Sequence, residues 1–271
     1  MEYKLKEYLK LDYDGVALEL SNDKIDEALS FKEGKYGCVM YLFVSAARGK
    51  TAQVSRETFG CWGGAVGLGF GNYYMKFPGG IDCFYYFLSN GNKNNKNGQN
   101  ILNNLKGKVN ESLYEKFENG ERLKKDPDLV KSFINKEIPI IDIPEKYVTF
   151  KPLSLVENDE NIKSVAFIVN PNQLSALVIL SNYFREGINN VIAPQAAACQ
   201  QIGILTYKED EAENPRAIIG LTDISARLNL KHLLKGNYLT VSMPYKLFME
   251  MEKYADESFL QGPTWNKLIA N

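Results

Sequence analysis

The chain has 271 residues, of which 45% are apolar and 24% charged, which is the composition of an ordinary globular protein rather than a disordered or fibrous one. Its 32 basic and 33 acidic side chains give a net charge of -1. Nucleic-acid binding usually requires a basic excess, because much of the affinity comes from neutralising phosphates. The charge balance therefore argues against a nucleic-acid partner.

The N-terminal segment MEYKLKEYLK mixes charged and apolar residues, unlike a signal peptide. The longest apolar run, residues 38–47, is too short to span a bilayer. We therefore expect a cytoplasmic protein without a membrane partner. In the cytoplasm its four cysteines would be reduced thiols or metal ligands rather than disulfides.

A first half is predicted over residues 14–89. It begins with the strand VALELSN from Val16 and continues with the helical segment CVMYLFVSAARG, which ends at Gly49. The short strand TAQVS follows, then a small-residue segment around Cys61 that predicts a helix start. The half closes with GNYYMKFP from Gly71, which we interpret as a strand that stops at a proline.

Residues 90–137 differ from the sequence on either side. Residues 90–104 are rich in Asn, Lys and Gly and predict an exposed loop. Apolar residues at helical spacing follow, interrupted at Asn119-Gly120 and again at Asp126-Pro127. This stretch predicts a helical insertion that joins two halves.

The second half, residues 160–260, repeats the order of the first. The strand VAFIVNPN begins at Val165 and the helical segment LSALVILSNYFREG ends at Gly187. The strand NVIAP, a segment around Cys199 and the strand GNYLTVSMP from Gly236 follow. An additional strand, RAIIGLTDI, is predicted before the last of these.

These patterns predict an α/β fold that forms a single compact domain over residues 1–271. Its two pseudo-symmetric βαβ-type repeats would be joined by the helical insertion. Any α/β protein alternates strands and helices, so the order alone does not require duplication. An α+β arrangement is the alternative, since the two Gly-Asn-Tyr strands could pair antiparallel.

Cys38, Cys61 and Cys199 are the candidate metal ligands. Each is predicted close to the start of a helix, where the helix dipole would lower the thiol pKa and favour the thiolate. If the halves pack around a twofold axis, the three thiolates would converge and suit an iron–sulfur cluster or another soft metal. The alternatives are a reactive thiol or cysteines that act as small buried apolar residues.

The candidate ligand-binding residues are glycines and arginines. Backbone amides at Gly63 and Gly64 could hold an anion, although no dinucleotide or P-loop pattern is present. Arginine suits carboxylates and phosphates, which makes Arg56 and Arg227 candidates for an anionic ligand. A surface ion pair is the alternative role of each arginine.

The segments CWGGAVGLG at Cys61, AAC at Cys199, GLTDISAR ending at Arg227, and SMPYKLF resemble an archaeal and bacterial family catalogued as domain of unknown function 169. The resemblance spans nearly the whole chain. It implies a prokaryotic, often anaerobic, cytoplasmic protein and no settled activity. It also directs attention to four residues whose types the family shares at these positions: Cys38, Cys61, Cys199 and Arg227. Gly220, in the matching run between Cys199 and Arg227, is a further candidate ligand-binding residue.

Three functions remain open from the sequence: a soft-metal or iron–sulfur protein, a metal-free thiol enzyme acting on an anionic metabolite, and a small-molecule binding module. Catalytic residues and oligomeric state are not indicated by any pattern.

Overall fold

The computed structural model describes residues 1–109, 111–157 and 159–270, which divide into two compact units. The first unit contains Met1–Phe70 and Ile141–Asn271, and the second contains Gly71–Ile140. Residues 71–89, which the sequence groups with the first half, belong to the second unit.

Seven strands of the first unit form one sheet. The strands are β1 (Val16–Ser21), β2 (Ala52–Ser55), β3 (Tyr147–Pro152), β4 (Ile162–Val169), β5 (Val191–Ile192), β6 (Ala217–Gly220) and β7 (Leu239–Pro244). Their order is β2-β3-β1-β4-β7-β6-β5. Only β5 and β6 pair parallel, and the other neighbours pair antiparallel. The α/β class is confirmed, with a mixed sheet. Strand β3 was not predicted.

Helices of the described residues flank these strands or form the second unit. They are α1 (Lys4–Tyr8), α2 (Met40–Ala47), α3 (Trp62–Gly67), α4 (Gly80–Leu88), α5 (Lys96–Leu105), α6 (Glu111–Asn119), α7 (Pro127–Lys136), α8 (Pro171–Tyr183), α9 (Ala198–Ile202), α10 (Ile204–Asp210), α11 (Ile224–Leu230), α12 (Tyr245–Tyr254) and α13 (Pro263–Ile269). No helix in this part of the chain combines the length and apolarity needed to cross a membrane.

Strands β1 and β4 are antiparallel neighbours at the centre of the sheet, with Val16 opposite Ala166. Each leads into a helix, α2 or α8, and then into a further strand, β2 or β5. This is the order of elements that the proposed repeat requires. The duplication itself stays a prediction.

Helices cover both faces of the sheet. Successive side chains of a strand point to opposite faces, so each strand contributes to both packing layers. On one face Phe167 of β4 packs against Phe248 of α12, with ring centroids 6.1 Å apart. On the other face Phe150 of β3 packs against Phe43 of α2 at 6.4 Å, and Ser164 of β4 donates to the backbone of α9. Helix α9, which carries Cys199, therefore lies on this second face.

The second unit has an aromatic core. Tyr74 stacks on Phe84 with centroids 4.3 Å apart, and Phe77 stacks on Phe117 at 5.8 Å. The predicted strand from Gly71 is wrong, because Tyr73–Lys76 form a 3-10 helix. A 3-10 turn has three residues per turn, so it directs Tyr74 and Phe77 to the same side, into this core.

The loop predicted over residues 90–104 is confirmed for residues 90–95 and wrong after them, because α5 begins at Lys96. The side chain of Asn95 accepts a hydrogen bond from Asn97 N and caps this helix. Gly98 lies against Asn92, at a position where a Cβ atom would come within 2.5 Å of the Asn92 Cβ. Asn95 therefore caps the helix and Gly98 allows close packing, although Asn and Gly in a polar stretch usually indicate a loop. The breaks predicted at Asn119-Gly120 and Asp126-Pro127 are confirmed by the bounds of α6 and α7.

The end of α9 is held by buried hydroxyl groups. Gly203 lies between α9 and α10 and has a non-helical backbone conformation, with φ -106° and ψ -107°. The last carbonyl groups of α9 are therefore free to bind groups of the sheet. The Gln201 carbonyl oxygen accepts hydrogen bonds from Ser242 Oγ at 2.7 Å and Thr206 Oγ1 at 2.8 Å. The Ile202 carbonyl accepts one from Ser164 Oγ at 3.1 Å. These bonds fix α9 on β4 and β7, because buried carbonyls require partners.

Helices α3 and α9 approach each other through glycines. A Cβ atom on Gly67 would lie 2.8 Å from Cys199 Sγ and 2.9 Å from the Gln200 nitrogen. A Cβ atom on Gly203 would lie 2.0 Å from the Gly67 carbonyl oxygen. Any side chain at Gly203 therefore requires the backbones to separate.

We expect Gly203→Ala to lower the free energy of unfolding by about 2 kcal/mol or more, because overpacking against backbone cannot be relieved by a rotamer change. Gly63→Ala in α3 is the matched control, since a Cβ atom there meets no atom within 4 Å. Urea denaturation measures both. Equal effects of the two substitutions would contradict the close approach.

Candidate functional site: a cluster of three thiols

Two aromatic-Gly-Cys triplets lie side by side in the first unit. They are Tyr36-Gly37-Cys38 and Phe59-Gly60-Cys61. The Gly37 nitrogen donates to the Gly60 carbonyl at 3.2 Å, and a Cβ atom on Gly60 would lie 2.5 Å from the Gly37 carbonyl oxygen. Gly60 also has φ +79°, which favours glycine. This contact brings Cys38 next to Cys61.

Cys61 is the N-cap residue of α3. Its Sγ accepts a hydrogen bond from the Gly64 nitrogen at 3.2 Å. The thiol itself caps the helix, so its sulfur lies at the exposed amide groups of α3.

Cys199 lies in the first turn of α9, which begins at Ala198. Its Sγ donates to the Gly63 carbonyl oxygen at 3.2 Å. The next nitrogen, that of Gly64, is the group that binds Cys61 Sγ. Cys61 and Cys199, from distant parts of the chain, therefore bind the nitrogen and the oxygen of the same peptide group.

Asp223 joins the cluster from the loop after β6. It caps α11 by accepting hydrogen bonds from Ser225 N at 2.8 Å and Ala226 N at 3.2 Å. Its other oxygen accepts one from Ala198 N, the first residue of α9, at 3.3 Å. One carboxylate thus links the starts of α9 and α11.

The aromatic rings of Tyr36 and Trp62 border the thiols, with centroids 4.7 Å apart. About half of the Tyr36 surface is exposed. Burial, and after it the proximity of Cys61, raises the pKa of the Tyr36 hydroxyl above its ordinary value. The hydroxyl of Tyr36 is therefore a polar neighbour of the thiol.

The prediction of lowered thiol pKa values is wrong. Burial, and then the neighbouring Cys38, raises the pKa of Cys61 from 9.0 to about 12. Burial also raises the pKa of Cys199, followed by Cys61, Cys38 and Asp223. Hydrogen bonds from backbone amides lower both values but are outweighed, because a thiolate loses more hydration energy on burial than those bonds return.

The side chains with the largest effects on the pKa values of Cys61 and Cys199 are all acidic. They are the other thiols and Asp223, and only backbone amides favour the thiolates. Ionisation of the thiols would therefore add negative charge beside Asp223, and none of these side chains carries a positive charge to balance it.

In residues 1–109, 111–157 and 159–270, no group of three or more His, Cys, Asp or Glu side chains is arranged to hold a metal ion. An iron–sulfur cluster commonly takes four protein ligands, usually cysteine thiolates. The three sulfurs in their present geometry do not fit such a cluster.

The predicted ligand-binding residues do not form one cleft. Arg56 ties β2 to the segment before β3: Nη1 donates to the Glu145 carbonyl at 2.9 Å, and Nη2 pairs with Asp142 Oδ1 at 2.8 Å. Its guanidinium also lies 5.2 Å from the centre of the Phe70 ring. Arg56 therefore forms an ion pair, which was the alternative to ligand binding that the sequence left open.

Gly63 and Gly64 belong to the thiol cluster through the peptide group described above. Gly220 lies at the end of β6, where a Cβ atom would come within 2.5 Å of Thr240 Oγ1 and 3.0 Å of Gln201 Oε1. It is a close-packing position. Arg227 projects from α11 and donates through Nη1 to the Tyr238 carbonyl at 2.8 Å.

Sequence reasoning missed Asp223 and Tyr36. The signal for Tyr36 was present, because Tyr36-Gly37-Cys38 and Phe59-Gly60-Cys61 share one pattern. Asp223 was placed in the predicted strand RAIIGLTDI, although an Asp before ISARLNL is a pattern typical of a helix start. Its link to Ala198 depends on the tertiary structure.

The model of the DUF169 family, described as an uncharacterised ArCR family, matches residues 4–254. This match confirms the resemblance. No curated protein and no solved structure matches the chain.

We expect Cys61 and Cys199 to react slowly with iodoacetamide at pH 7 and faster as the pH rises above 9. The raised pKa of Cys61, about 12 against 9.0 for an ordinary thiol, keeps the sulfur protonated, and the thiolate is the nucleophile. Mass spectrometry of each cysteine measures the rates, with the urea-unfolded chain as control.

The same shift makes a stability prediction. A thiol pKa that is higher in the folded than in the unfolded chain stabilises the fold below pH 9, and this contribution is lost as the pH rises towards 12. Rapid alkylation of Cys61 with a midpoint below pH 7 would contradict both statements.

Proposed function

The chain belongs to the DUF169 family, and since that family's description names no activity, we propose from the site itself that the thiol cluster takes up a soft metal ion of low coordination number. The ligands would be the thiolates of Cys61 and Cys199, with Cys38 next to them. Thiolates select soft ions such as Cu(I).

The observation that carries this proposal is the charge of the cluster. Cys38 and Asp223 raise the pKa of Cys61, and Cys61, Cys38 and Asp223 raise the pKa of Cys199, because the ionised forms repel. A bound cation reverses that repulsion, and it lowers the pKa of a coordinating thiol until the thiolate forms. The electrostatic complement of this site is therefore a cation.

Two ligands suffice for a low-coordinate soft ion. Cys61 and Cys199 bind opposite sides of the Gly63–Gly64 peptide group, so their side chains would have to turn towards each other to hold one ion. A cluster or a tetrahedral zinc site needs three or four ligands, and the geometry of the described residues offers no such set. The proposal is accordingly limited to a single low-coordinate ion.

A thiol enzyme acting on an anionic metabolite has less support. Its nucleophile would be protonated at neutral pH, and an anionic substrate would meet Asp223 and the other thiols. Arg56, the arginine closest in sequence to Cys61, is engaged with Asp142 and Glu145.

The test is titration of the full chain with Cu(I) without oxygen, followed by thiolate-to-metal absorption in the ultraviolet. We expect one equivalent to bind, with affinity that increases with pH because binding releases protons. Cys61→Ser and Cys199→Ser should each lower the affinity at least about tenfold. Cys83→Ser, in the second unit, is the control and should bind as the unmodified chain does.

Absence of the absorption band, or equal losses in Cys83→Ser and Cys61→Ser, would exclude this function. Protein purified without oxygen that carries stoichiometric iron and sulfide would instead establish a cluster and replace the proposal.

A further inference from the structure

A pocket of about 290 Å³ lies in the first unit, between α11 and the segment that leads into β7. Its lining includes Leu221, Arg227, Leu228, Lys231, Leu234 and Tyr238. None of the three clustered cysteines lines it. The pocket is therefore separate from the soft-metal site and has a different chemistry.

The charged side chains of the lining are both basic. Arg227 and Lys231 are four residues apart, at the spacing that places two side chains on one face of a helical turn. From Ile224 to Met249 the chain contains no Asp or Glu. Two acids lie near this pocket. Asp223, the N-cap of α11, accepts hydrogen bonds from the backbone nitrogens of Ser225, Ala226 and Ala198. Asp12 accepts one from the Tyr238 hydroxyl at 3.2 Å. The rim of the pocket thus favours an anion.

Arg227 is held in place by backbone oxygens. Its Nη1 donates to the Tyr238 carbonyl at 2.8 Å and to the Leu221 carbonyl at 3.4 Å. Both bonds use the same nitrogen, so Nε and Nη2 retain their hydrogens for a ligand. A guanidinium fixed in this way can bind a carboxylate with two donors at little entropic cost.

Leu221 has a backbone conformation that is unusual for leucine. Its φ is +57°, in the left-handed region that side chains rarely adopt, and the residue is 2% exposed. Such residues persist where the surrounding structure fixes them, and they cluster at binding sites. Here the strained residue forms part of the pocket wall, and Arg227 binds its carbonyl.

The remaining lining is apolar. Leu221 and Leu230 are buried, whereas Leu228 is 60% exposed at the pocket edge. Small-molecule sites combine apolar walls with a few placed polar groups. The combination of leucines, a tyrosine and two cations matches a ligand that has one anionic group and an apolar body.

We propose that this pocket binds a small organic monocarboxylate, with its carboxylate at Arg227 and Lys231 and its apolar body against the leucines. Arg227 is a binding residue in this site. The proposal needs neither a metal ion nor a particular state of the cysteines.

The experiment is calorimetric titration of the full chain with hexanoate. We expect a dissociation constant in the millimolar range or below, and binding of 1-hexanol and of inorganic phosphate at least about tenfold weaker, since each carries half of the recognised chemistry. Arg227→Gln should weaken hexanoate binding about ten- to a hundredfold, because it removes a charge-assisted hydrogen bond.

Arg227 also binds backbone oxygens, so its substitution could weaken binding by disturbing the fold. Two further variants separate loss of binding from loss of stability. Lys231→Gln and Leu228→Asp alter exposed pocket residues and should weaken hexanoate binding with thermal unfolding unchanged. Lys235→Gln is the matched control, since it removes an exposed charge four residues from Lys231 that does not line the pocket.

Failure of hexanoate to bind at 10 mM, equal binding of inorganic phosphate, or an equal loss in Lys235→Gln and Lys231→Gln would each overturn the proposal.

Discussion

The approach of α3 to α9 is the contact on which the thiol site depends. A Cβ atom on Gly203 would lie only 2.0 Å from the Gly67 carbonyl oxygen, so the two backbones meet with no side chain between them. The buried hydroxyls of Ser164, Thr206 and Ser242 then hold α9 on the sheet by binding its last carbonyls. Together these contacts place the Cys199 sulfur at the peptide group that also binds Cys61, although 138 residues separate the two in the chain.

The electrostatics of the site follow from that packing. Helix starts favour negative charge, and this alone would give reactive thiolates. Packing three thiols and Asp223 together in a largely buried place has the opposite and larger effect, because each ionisation would be unsolvated and repelled by the others. The same features are the basis of our proposal that the cluster takes up a soft cation. The α11–β7 pocket has the reverse charge, so the first unit presents two sites of opposite electrostatic character.

Much of the fold could be predicted from local patterns. Strands β1, β2, β4, β6 and β7 and helices α2 and α8 follow from apolar runs bounded by Asn, Gly and Pro, which act through local backbone preferences. The errors fall where long-range packing decides. Tyr73–Lys76 have the composition of a strand, yet the aromatic core of the second unit selects a 3-10 turn for Tyr74 and Phe77. The Asn-rich α5 forms because Gly98 and Leu102 are buried against their own unit.

The sequence by itself determined the α/β class, the family and the three cysteines of the site, since each depends on residue types and their order along the chain. The order of elements in the two proposed repeats also predicted that the thiols converge. It did not predict the contacts that each sulfur makes. Only the tertiary structure decided that Cys61 is a cap, that Asp223 joins the cluster, that the thiol pKa values rise, and that Arg56 and Arg227 have separate roles. The physical reason is that burial, mutual repulsion of charges and backbone contact between glycines depend on distances between residues far apart in the chain.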